Sequence, residues 1–389
     1  MRDFAEDLKE LEKKGLLRKL SFIESSVGSH VKIKGKDFIN FSSNDYLNLS
    51  GHPEIVKAAI TALKKYGFGS GSSRLLSGSR LPHKKLEERI SAFKKTESAL
   101  VFNTGYSANT GIIPAIAGSG DMILSDELNH ASIVDGARLS KADVKIYRHR
   151  DMKHLEKLLN TFSLDGKSKD RQCLIVTDTV FSMNGDIATL KEIASLAENY
   201  NALLMIDDAH GTGVLGKNGR GGLEHFGIKV KKIIQMGTLS KAFGCFGAFA
   251  AGSKTLINLL INRARSFIYS TSLPPAVAEA CVKAIDIVEY ESGERRRSLW
   301  KRRQRLFEGL NKLGYDTLDS ETQIIPVLIG DRENTLRIGD YLLRKKIFAP
   351  AIRPPTVPDG RCRIRFSVTA AHTDEDIDNV LESLNKYKI

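Results

Sequence analysis

The central part of the chain alternates short apolar runs with amphipathic stretches. Six apolar runs predict β-strands, at residues 99–102, 122–124, 144–147, 174–177, 203–206 and 233–236. Between the fourth and fifth, apolar residues recur at the spacing of one helix face (Leu190, Ile193, Ala194 and Ala197). Strands that alternate with helices in this way predict an α/β fold with a mostly parallel sheet covered on both faces.

The two ends of the chain have a different pattern. Leucines at positions 8, 11, 16 and 17 among charged residues predict a helix within residues 1–20, and residues 31–33 and 38–41 predict a small hairpin. After about residue 290 the pattern predicts a long helix, short strands at 324–328 and 363–367, and a closing helix from Asp374. We therefore predict three parts: an N-terminal helix and hairpin segment (1–49), a large domain (50–290) and a smaller C-terminal α+β domain (291–389).

Composition narrows the class of protein. Of 389 residues, 41% are hydrophobic and 27% are charged, which is ordinary for a globular protein. No apolar run reaches the roughly 20 residues that span a bilayer, and the acidic start MRDFAED is unlike a secretory signal. The four cysteines form no CxxC pair, so we predict a reducing, cytoplasmic location and no metal site.

The net charge of +13 leaves several interpretations open. The densest basic run, residues 295–305, contains Leu299 and Trp300 and is followed by Leu306, which favours an amphipathic helix with a solvated outer face. A patch for an anionic acyl donor and a surface for nucleic acid are the alternatives. No aromatic–basic RNA-binding string and no helix-turn-helix pattern supports the second, so we expect neither nucleic acid nor membrane as a partner.

Polar residues follow the predicted strands at the edge where parallel sheets bind ligands. They are Asn103 to Asn109, Ser125 with Asp126, Asn129 and His130, Asp178 to Ser182, Asp207 to His210, and Gly237 to Lys241. Because these groups converge on one edge, the pattern predicts an active site.

Lys241 indicates the type of chemistry. It lies among small residues, where partial desolvation lowers an amine pKa and favours a Schiff base with an aldehyde. Asp207 can pair with a protonated pyridine nitrogen. Backbone N–H groups at Gly105 and Tyr106, with the hydroxyls of Thr238 and Ser240, can bind a phosphate. Each feature has a simpler interpretation, such as a surface lysine or an Asp207–His210 metal pair, but their order on successive strand ends favours one site.

The segment Gly211–Gly216 matches GxGxxG literally and follows a strand. A dinucleotide fingerprint requires the glycines to open a helix, however, with an acidic residue about 20 positions on. Here the segment continues into the polar, glycine-rich residues 217–222, which predict a loop. We therefore do not expect a nicotinamide or flavin cofactor.

Several strings together resemble those of the α-oxoamine synthases, a family of enzymes that use pyridoxal 5′-phosphate (PLP). They are FSSNDYL (41–47), GSGSSR (69–74), DDAHGTG (207–213), TLSK (238–241) and YSTSLPP (269–275). The resemblance covers nearly the whole chain and implies a fold-type I PLP-dependent transferase (aspartate aminotransferase-like). It also implies a homodimer with shared active sites.

Two further strings resemble family members that make 8-amino-7-oxononanoate in biotin biosynthesis, namely FSMNGD (181–186) and IRPPTVP (352–358). The resemblance implies an acyltransferase that condenses L-alanine with a pimeloyl thioester, on coenzyme A or a carrier protein, and releases CO2. The alternative is another reaction of the family, such as glycine C-acetyltransferase.

Carried over by position, the resemblance implies roles for individual residues. The catalytic residues are Lys241, which binds the cofactor and moves the Cα proton, with His130, Asp207 and His210. The cofactor-binding residues are Gly105, Tyr106, His130, Ser182, Asp207, His210, Thr238, Lys241, Thr271 and Ser272, the pair Thr271 and Ser272 acting across the dimer. The substrate-binding residues are Arg18, Asn44, His130, Arg353 and Thr356. Asp178 stands where other members often have Glu, so we assign it no catalytic role.

Overall fold

The computed structural model describes residues 3–164 and 171–387. The chain divides into two compact units. The first unit consists of the chain up to Ser50, the short segment Met183–Asp186 and the chain from Arg295 onward. The second unit consists of Gly51–Ser182 and Ile187–Glu294.

The described residues form fourteen α-helices and thirteen strands. The helices are α1 Phe4–Lys13, α2 Pro53–Tyr66, α3 Leu81–Lys94, α4 Gly105–Ile116, α5 Ala131–Ser140, α6 Met152–Leu164, α7 Leu190–Asn199, α8 Gly222–Phe226, α9 Lys254–Arg263, α10 Arg265–Ile268, α11 Pro275–Asp286, α12 Gly293–Lys312, α13 Arg332–Arg344 and α14 Asp374–Asn385. The strands are β1 His30–Ile33, β2 Lys36–Asn40, β3 Ser98–Phe102, β4 Met122–Asp126, β5 Asp143–Tyr147, β6 Cys173–Asp178, β7 Leu203–Asp207, β8 Ile233–Thr238, β9 Ala248–Gly252, β10 Ile324–Gly330, β11 Ile347–Phe348, β12 Ala351–Ile352 and β13 Cys362–Ser367.

The second unit is built on a seven-stranded sheet with the order β3-β9-β8-β7-β6-β4-β5. All neighbouring pairs from β8 to β5 are parallel, whereas β9 is antiparallel to both β3 and β8. All six predicted strands are therefore present in a mostly parallel sheet, and the predicted fold class is confirmed. The sequence analysis missed β9.

Apolar side chains cover both faces of this sheet. Within β6, Leu174 and Val176 belong to one core cluster and Cys173 and Ile175 to the other. The first cluster includes residues of α4, α5 and α9, and the second includes residues of α6 and α7. Because successive strand residues point to opposite faces, a strand buried on both faces is apolar at nearly every position. The loops at the strand ends are left to carry the polar groups.

The first unit contains two three-stranded sheets, β1-β2-β11 and β10-β13-β12. The predicted hairpin is β1 and β2, which pair antiparallel. β11 pairs parallel with β2, and the Ser367 N–H donates to the Phe41 carbonyl at 2.8 Å, so the N-terminal segment packs with residues from the end of the chain. Helix α1 ends at Lys13, short of the predicted residue 20.

The basic run lies on α12, and its charged groups have partners. Lys301 and Arg302 form ion pairs with Asp374 of α14, and Arg305 pairs with Asp378. Leu299, Leu306 and Leu310 are buried on the opposite side of the helix. This arrangement agrees with the interpretation as an amphipathic helix. None of the described helices is long and apolar enough to cross a membrane.

Candidate active site

The carboxyl ends of the parallel strands bring carboxylates and hydroxyls together. Strands β4, β6, β7 and β8 end at Asp126, Asp178, Asp207 and Thr238. In the ladder between β6 and β7, Asp178 is directly opposite Asp207. The two carboxyl groups therefore lie on neighbouring strands at the same edge of the sheet, as the strand-end pattern predicts.

Asp207 is buried and held by two hydrogen bonds. The Ala209 N–H donates to its Oδ1 at 3.0 Å, and Asn109 Nδ2 donates to its Oδ2 at 2.7 Å. Asn109 lies on α4, is fully buried, and also donates to Ser132 Oγ at 2.8 Å. A carboxylate held in this way keeps its orientation at the base of the site. The sequence analysis placed Asn109 in the polar segment after β3 but assigned it no role.

His130 lies at the N-cap of α5, and its surroundings determine which ring nitrogen carries a proton. The Ser132 N–H points at Nδ1 (3.3 Å), and Ser132 Oγ is 2.8 Å from the same nitrogen. Because a backbone N–H can only donate, Nδ1 accepts and the neutral ring carries its hydrogen on Nε2. Desolvation by the surrounding protein lowers the pKa of His130, the Asp207 carboxylate opposes this effect and Lys241 adds to it. The ring is neutral and exposed, so it can pack flat against a planar ligand.

Asp178 positions His130 through a hydrogen bond to its backbone. Its Oδ2 accepts the His130 N–H at 2.7 Å, and its own N–H donates to Asn129 Oδ1 at 2.9 Å. Burial raises the pKa of Asp178 well above its usual value, and the neighbouring Asp207 raises it further, while the hydrogen bond from His130 and the Lys241 charge oppose the rise. Burial therefore favours the protonated form of Asp178, and its contact with the His130 backbone N–H gives it a positioning role that the sequence analysis did not assign.

Lys241 follows β8 in a turn and is half-buried. Its charge acts on both His130 and Asp178, which places it in the same electrostatic environment as these residues and Asp207. Gly213, with a positive φ of 92°, passes so close to this turn that an added Cβ would lie 2.5 Å from Ala242 Cβ. Of the other predicted residues, His210 is buried in the turn after β7, and Ser182 is half-buried in the loop after β6.

The predicted phosphate end contains a helix start and two hydroxyls. Gly105 and Tyr106 are the first residues of α4, where backbone N–H groups have no acceptor within the helix. Thr238 Oγ1 donates to the Gly247 carbonyl at 2.9 Å and lies 2.6 Å from Ser240 Oγ. Because Thr238 is buried and Ser240 is exposed, the Ser240 hydroxyl is the one with an open side.

Thr271 and Ser272 lie in an extended segment beside the loop after α2. Thr271 forms an isolated antiparallel bridge with Ser73, and the Ser272 N–H donates to the Ser72 carbonyl at 2.9 Å. Thr271 is exposed, whereas Ser272 is buried. Within the described residues, the two side chains lie in the second unit with the other predicted cofactor residues.

The segment that matches GxGxxG forms turns, as predicted, and opens no helix. It is held by Asp208, whose carboxylate accepts from Thr212 Oγ1 at 2.7 Å and from the Gly222 N–H at 3.2 Å. Lys94 is almost fully buried and pairs with the same carboxylate at 3.0 Å. This ion pair fixes the loop next to Asp207.

In the first unit, Arg353 and Arg18 are linked through the backbone. The guanidinium of Arg353 donates to the carbonyls of Gly15 (2.8 Å) and Leu17 (2.7 Å), while Arg18 donates to the carbonyl of Pro354 (3.0 Å). Burial lowers the pKa of Arg353, and Arg18 and Arg332 lower it further. Thr356 is exposed three residues beyond Arg353. Arg353 therefore holds the segment that carries Arg18, and the exposed side chain of Arg18 remains available for an anionic ligand.

Asn44 lies beside an arginine that the sequence analysis missed. Arg365 Nη2 donates to Asn44 Oδ1 at 3.2 Å, and Tyr46 donates to the same oxygen at 3.1 Å. The Nε–H of Arg365 is buried and has no acceptor among the described residues. An arginine with an unused donor is a suitable group for binding a carboxylate. Its position in an apolar, alternating strand (RIRFS) was the signal that could have identified it.

The described residues contain no group of three or more His, Cys, Asp or Glu side chains that could hold a metal ion. Asp207 and His210, the pair considered for metal binding, therefore lack a third ligand of these types in that part of the chain. The four cysteines all lie in the described residues, and none of them forms a disulfide bond there.

Known proteins of similar sequence and structure agree with the α/β fold described above. The family model for class I and II aminotransferases matches residues 36–384. The 8-amino-7-oxononanoate synthase of Geotalea daltonii is 50% identical over 385 residues, 99% of this chain and 97% of that protein. The serine palmitoyltransferase of S. paucimobilis, solved with PLP and myriocin bound, has a TM-score of 0.92 at 31% identity and covers 98% of this chain and 96% of its own. The 8-amino-7-oxononanoate synthase of Francisella tularensis has a TM-score of 0.77 at 30% identity, with 90% and 97% covered.

Proposed function

The chain belongs to the class I and II aminotransferase family, as its motifs predict, and we propose that it condenses L-alanine with a pimeloyl thioester to give 8-amino-7-oxononanoate, CO2 and the free thiol. The observation that carries the proposal is the 50% identity to 8-amino-7-oxononanoate synthase over nearly the whole length of both chains. The serine palmitoyltransferase with the higher TM-score is only 31% identical. The protein is an acyltransferase of this family, and its cofactor is PLP.

The residues at the sheet edge fit this cofactor. Asp207 is a buried carboxylate with a fixed orientation, which suits a protonated ring nitrogen. The start of α4 offers backbone N–H groups to a phosphate. The Asn109 Oδ1 atom is buried without a hydrogen-bond partner among the described residues, which is typical of a polar group that faces a ligand.

Lys241 has two tasks in the proposed reaction. PLP, when bound, supplies a conjugated ring that stabilises negative charge on the amino acid Cα. When PLP is bound, the amine of Lys241 would hold it covalently. The same amine would accept the Cα proton of alanine and return a proton to that carbon once CO2 has left. We assign both steps to Nζ of Lys241.

We propose that the other residues of the site orient the cofactor and polarise its ring. Asn109 and the Ala209 N–H orient the carboxyl group of Asp207, which we propose faces the ring nitrogen. Asp178 holds the backbone N–H of His130 and Ser132 contacts its imidazole, which we propose packs on the cofactor ring. We propose that Ser182 and His210 contact the phenolic oxygen of the cofactor, and that Gly105, Tyr106, Thr238, Thr271 and Ser272 bind its phosphate.

We assign substrate binding to Arg18, Asn44, His130, Arg353 and Thr356. Asn44 with Arg365 is suited to the carboxylate of alanine, because Arg365 has an unused buried donor. Arg18 and Thr356 are exposed and suited to the acyl donor. Arg353 acts on the donor through the segment that carries Arg18, because two of its donors are occupied by backbone carbonyls.

We propose that the protein is cytoplasmic. We also propose that it is a homodimer whose active sites are shared between the two subunits. Large apolar side chains are exposed on elements of the second unit that contact one another: Leu75 and Leu76 in the turn Arg74–Gly78, Tyr269 after α10, Tyr106 on α4 and Leu139 on α5. Contiguous exposed apolar residues of this kind mark a protein interface. The dimer brings Thr271 and Ser272 to the phosphate of the partner's cofactor in this proposal.

A substrate panel tests the proposed function. Purified protein with PLP would be given L-alanine, glycine or L-serine in combination with pimeloyl, acetyl, succinyl or palmitoyl thioesters, the pimeloyl group on coenzyme A and on a carrier protein. We expect the highest kcat/KM for alanine with a pimeloyl donor, and no product from Lys241→Ala. A preference for glycine with the acetyl donor would instead identify a glycine C-acetyltransferase.

A further inference from the structure

His83 is a fully buried histidine with no place in the reaction described above. It lies in the first turn of α3, and its ring contacts the segment that carries Ser272. Nε2 is 2.6 Å from the Leu273 carbonyl oxygen and 3.0 Å from Ser272 Oγ. His83 is therefore a buried polar side chain in contact with Ser272, which we propose binds the cofactor phosphate.

The tautomer of His83 follows from its other nitrogen. The backbone N–H of Arg80 donates to Nδ1 at 3.0 Å. Since that group can only donate, Nδ1 is the acceptor, and in the neutral ring the hydrogen is on Nε2. Burial lowers the pKa of His83, and Arg74 lowers it further against the opposing effect of Glu87, so the ring is neutral at pH 7. His83 therefore presents one N–H to Leu273 and Ser272.

Among the described residues, the acceptor that the Ser272 hydroxyl reaches is the Leu273 carbonyl oxygen, at the long distance of 3.5 Å. Ser70 Oγ donates to the Leu273 carbonyl at 2.7 Å and His83 Nε2 lies at 2.6 Å, so both lone pairs of that oxygen are occupied. Ser272 Oγ is 3.5 Å from the same oxygen, the longest of the three distances. His83 Nε2 already carries a hydrogen and cannot accept. Ser272 lines a cavity of about 10 Å³ together with Asn103, Ser270 and Thr271.

We propose that His83 is a positioning residue for the phosphate site, whose Nε2–H fixes Ser272 Oγ as an acceptor and so leaves the Ser272 hydroxyl hydrogen to donate to the cofactor phosphate. The inference rests on the proposed function, since it presumes that PLP is the ligand and that Ser272 contacts its phosphate. It adds a residue to the phosphate site that touches neither the cofactor nor the substrate.

Two substitutions separate the two nitrogens of His83. The amide of Asn reaches the position of Nδ1, so His83→Asn keeps the acceptor for Arg80 and loses the donor to Leu273 and Ser272. The amide of Gln reaches the position of Nε2, so His83→Gln keeps the donor and loses the acceptor. Dissociation constants for PLP and for pyridoxal, which lacks the phosphate, would be measured by absorbance for each variant.

We expect His83→Asn to weaken PLP binding about 10-fold while changing pyridoxal binding less than about 2-fold, because only the phosphate contact is lost. His83→Gln should keep the wild-type ratio of the two constants. In a Ser272→Ala background, His83→Asn should cause no further change in that ratio. Equal weakening of PLP and pyridoxal by His83→Asn, or an undiminished effect in the Ser272→Ala background, would overturn the inference.

A second measurement does not depend on how the variants fold. The ¹⁵N chemical shifts of histidine in the wild-type holoenzyme report the tautomer of each ring, and the buried His83 should show the hydrogen on Nε2 from pH 6 to 8. A hydrogen on Nδ1, or a charged ring at pH 7, would also overturn the inference. Failure of the proposed function has a different signature: the wild-type protein would not bind PLP at Lys241 at all.

Discussion

At the scale of single residues, Asp178 and Asp207 show how two carboxyl groups on neighbouring strands are held by different hydrogen bonds. Asp207 accepts two hydrogen bonds, from Asn109 and from the Ala209 N–H. Asp178 accepts one from the His130 N–H, and burial together with Asp207 raises its pKa. Ionising two neighbouring buried carboxyl groups costs free energy, which favours the protonated form of Asp178. Its carboxyl group then acts as a fixed acceptor for the residue that starts α5.

Substitution of Asp178 tests this assignment. Asp178→Asn has nearly the shape of a protonated carboxyl group and still accepts from His130, so activity should fall less than about 3-fold. Asp178→Ala leaves a buried N–H without an acceptor, and we expect the free energy of unfolding to fall by about 1–3 kcal/mol. Steady-state kinetics and urea unfolding would measure the two effects. A loss of activity in Asp178→Asn as large as in Asp178→Ala would show that a charge is needed there.

His372 gives a pH-dependent prediction for the first unit. Its Nδ1 accepts the Thr369 N–H, its Nε2 donates to the Asn40 carbonyl, and its ring stacks on Phe41. Burial lowers its pKa to about 4, His30 lowers it further, and Asp376 opposes the shift. In the unfolded chain the imidazole binds a proton near pH 6.5, whereas in the folded chain it remains neutral until about pH 4.

Since the unfolded state binds more protons between these values, stability falls as the pH decreases from about 6.5 to 4. The contribution of His372 to the slope is at most one proton, about 1.4 kcal/mol per pH unit. Unfolding free energies measured from pH 7 to 5 should therefore depend less steeply on pH in His372→Gln than in wild type. Identical slopes would contradict the lowered pKa.

At the scale of elements, the turn that carries Lys241 is positioned by close packing against the glycine-rich loop after β7. Gly213 has a positive φ and lies against Ala242, and Asp208 with Lys94 holds the same loop from the other side. The glycines that match GxGxxG are required here by conformation and space. Their motif signals a tight loop beside Lys241, and the structure explains why a dinucleotide interpretation fails.

A pair of glycine substitutions separates backbone strain from packing. Gly213 and Gly227 both have positive φ, but a Cβ on Gly213 would lie 2.5 Å from Ala242 Cβ, whereas nothing lies within 4 Å of a Cβ on Gly227. Gly227→Ala should cost only backbone strain, about 1–2 kcal/mol. Gly213→Ala should cost more and also weaken PLP binding. If the two variants had the same stability and the same affinity for PLP, the contact with Ala242 would not position Lys241.

The strands of the sheet were predictable because burial on both faces leaves a continuous apolar run. Strand β9 (AFAAG) was missed because alanine and glycine have low strand propensity, and it forms because Gly237 leaves room for Phe249 between two neighbouring strands. Asp207 and Lys241 could be predicted as site residues because each lies at or after the end of a predicted strand. The roles of Asn109, Ser132 and Arg365 could not be predicted, because they depend on tertiary hydrogen bonds that no local pattern encodes.

At the scale of the whole molecule, the proposed homodimer explains the exposed apolar side chains of the second unit. Leu76 is 79% exposed in the turn next to α10, and Leu164 is 85% exposed at the end of α6. Leu76 belongs to the proposed interface and Leu164 does not, so the two make a matched pair. Leu76→Asp should dissociate the dimer, and Leu164→Asp should not, as measured by light scattering after size-exclusion chromatography. A monomeric wild-type protein, or equal behaviour of the two variants, would contradict this interface.

Shared sites predict complementation between inactive variants. Lys241→Ala lacks the covalent cofactor link, and the double variant Thr271→Ala/Ser272→Ala lacks the phosphate contacts offered to the partner. A hybrid dimer has one site in which both defects are absent, so mixing the two variants should restore part of the activity. Mass spectrometry of intact complexes would confirm that hybrids form. Hybrids without any recovered activity would mean that each subunit completes its own phosphate site.

The central claim is that Lys241 and Asp207 support a condensation in which the carboxylate of alanine is lost. The most direct measurement follows the carbon of that carboxylate, with L-alanine labelled by ¹³C at C1 and a pimeloyl thioester as donor. We predict that all of the label appears as ¹³CO2, in equal amount to the free thiol, and that the amino ketone product is unlabelled. Product that retains the ¹³C, or thiol release without ¹³CO2, would contradict the account.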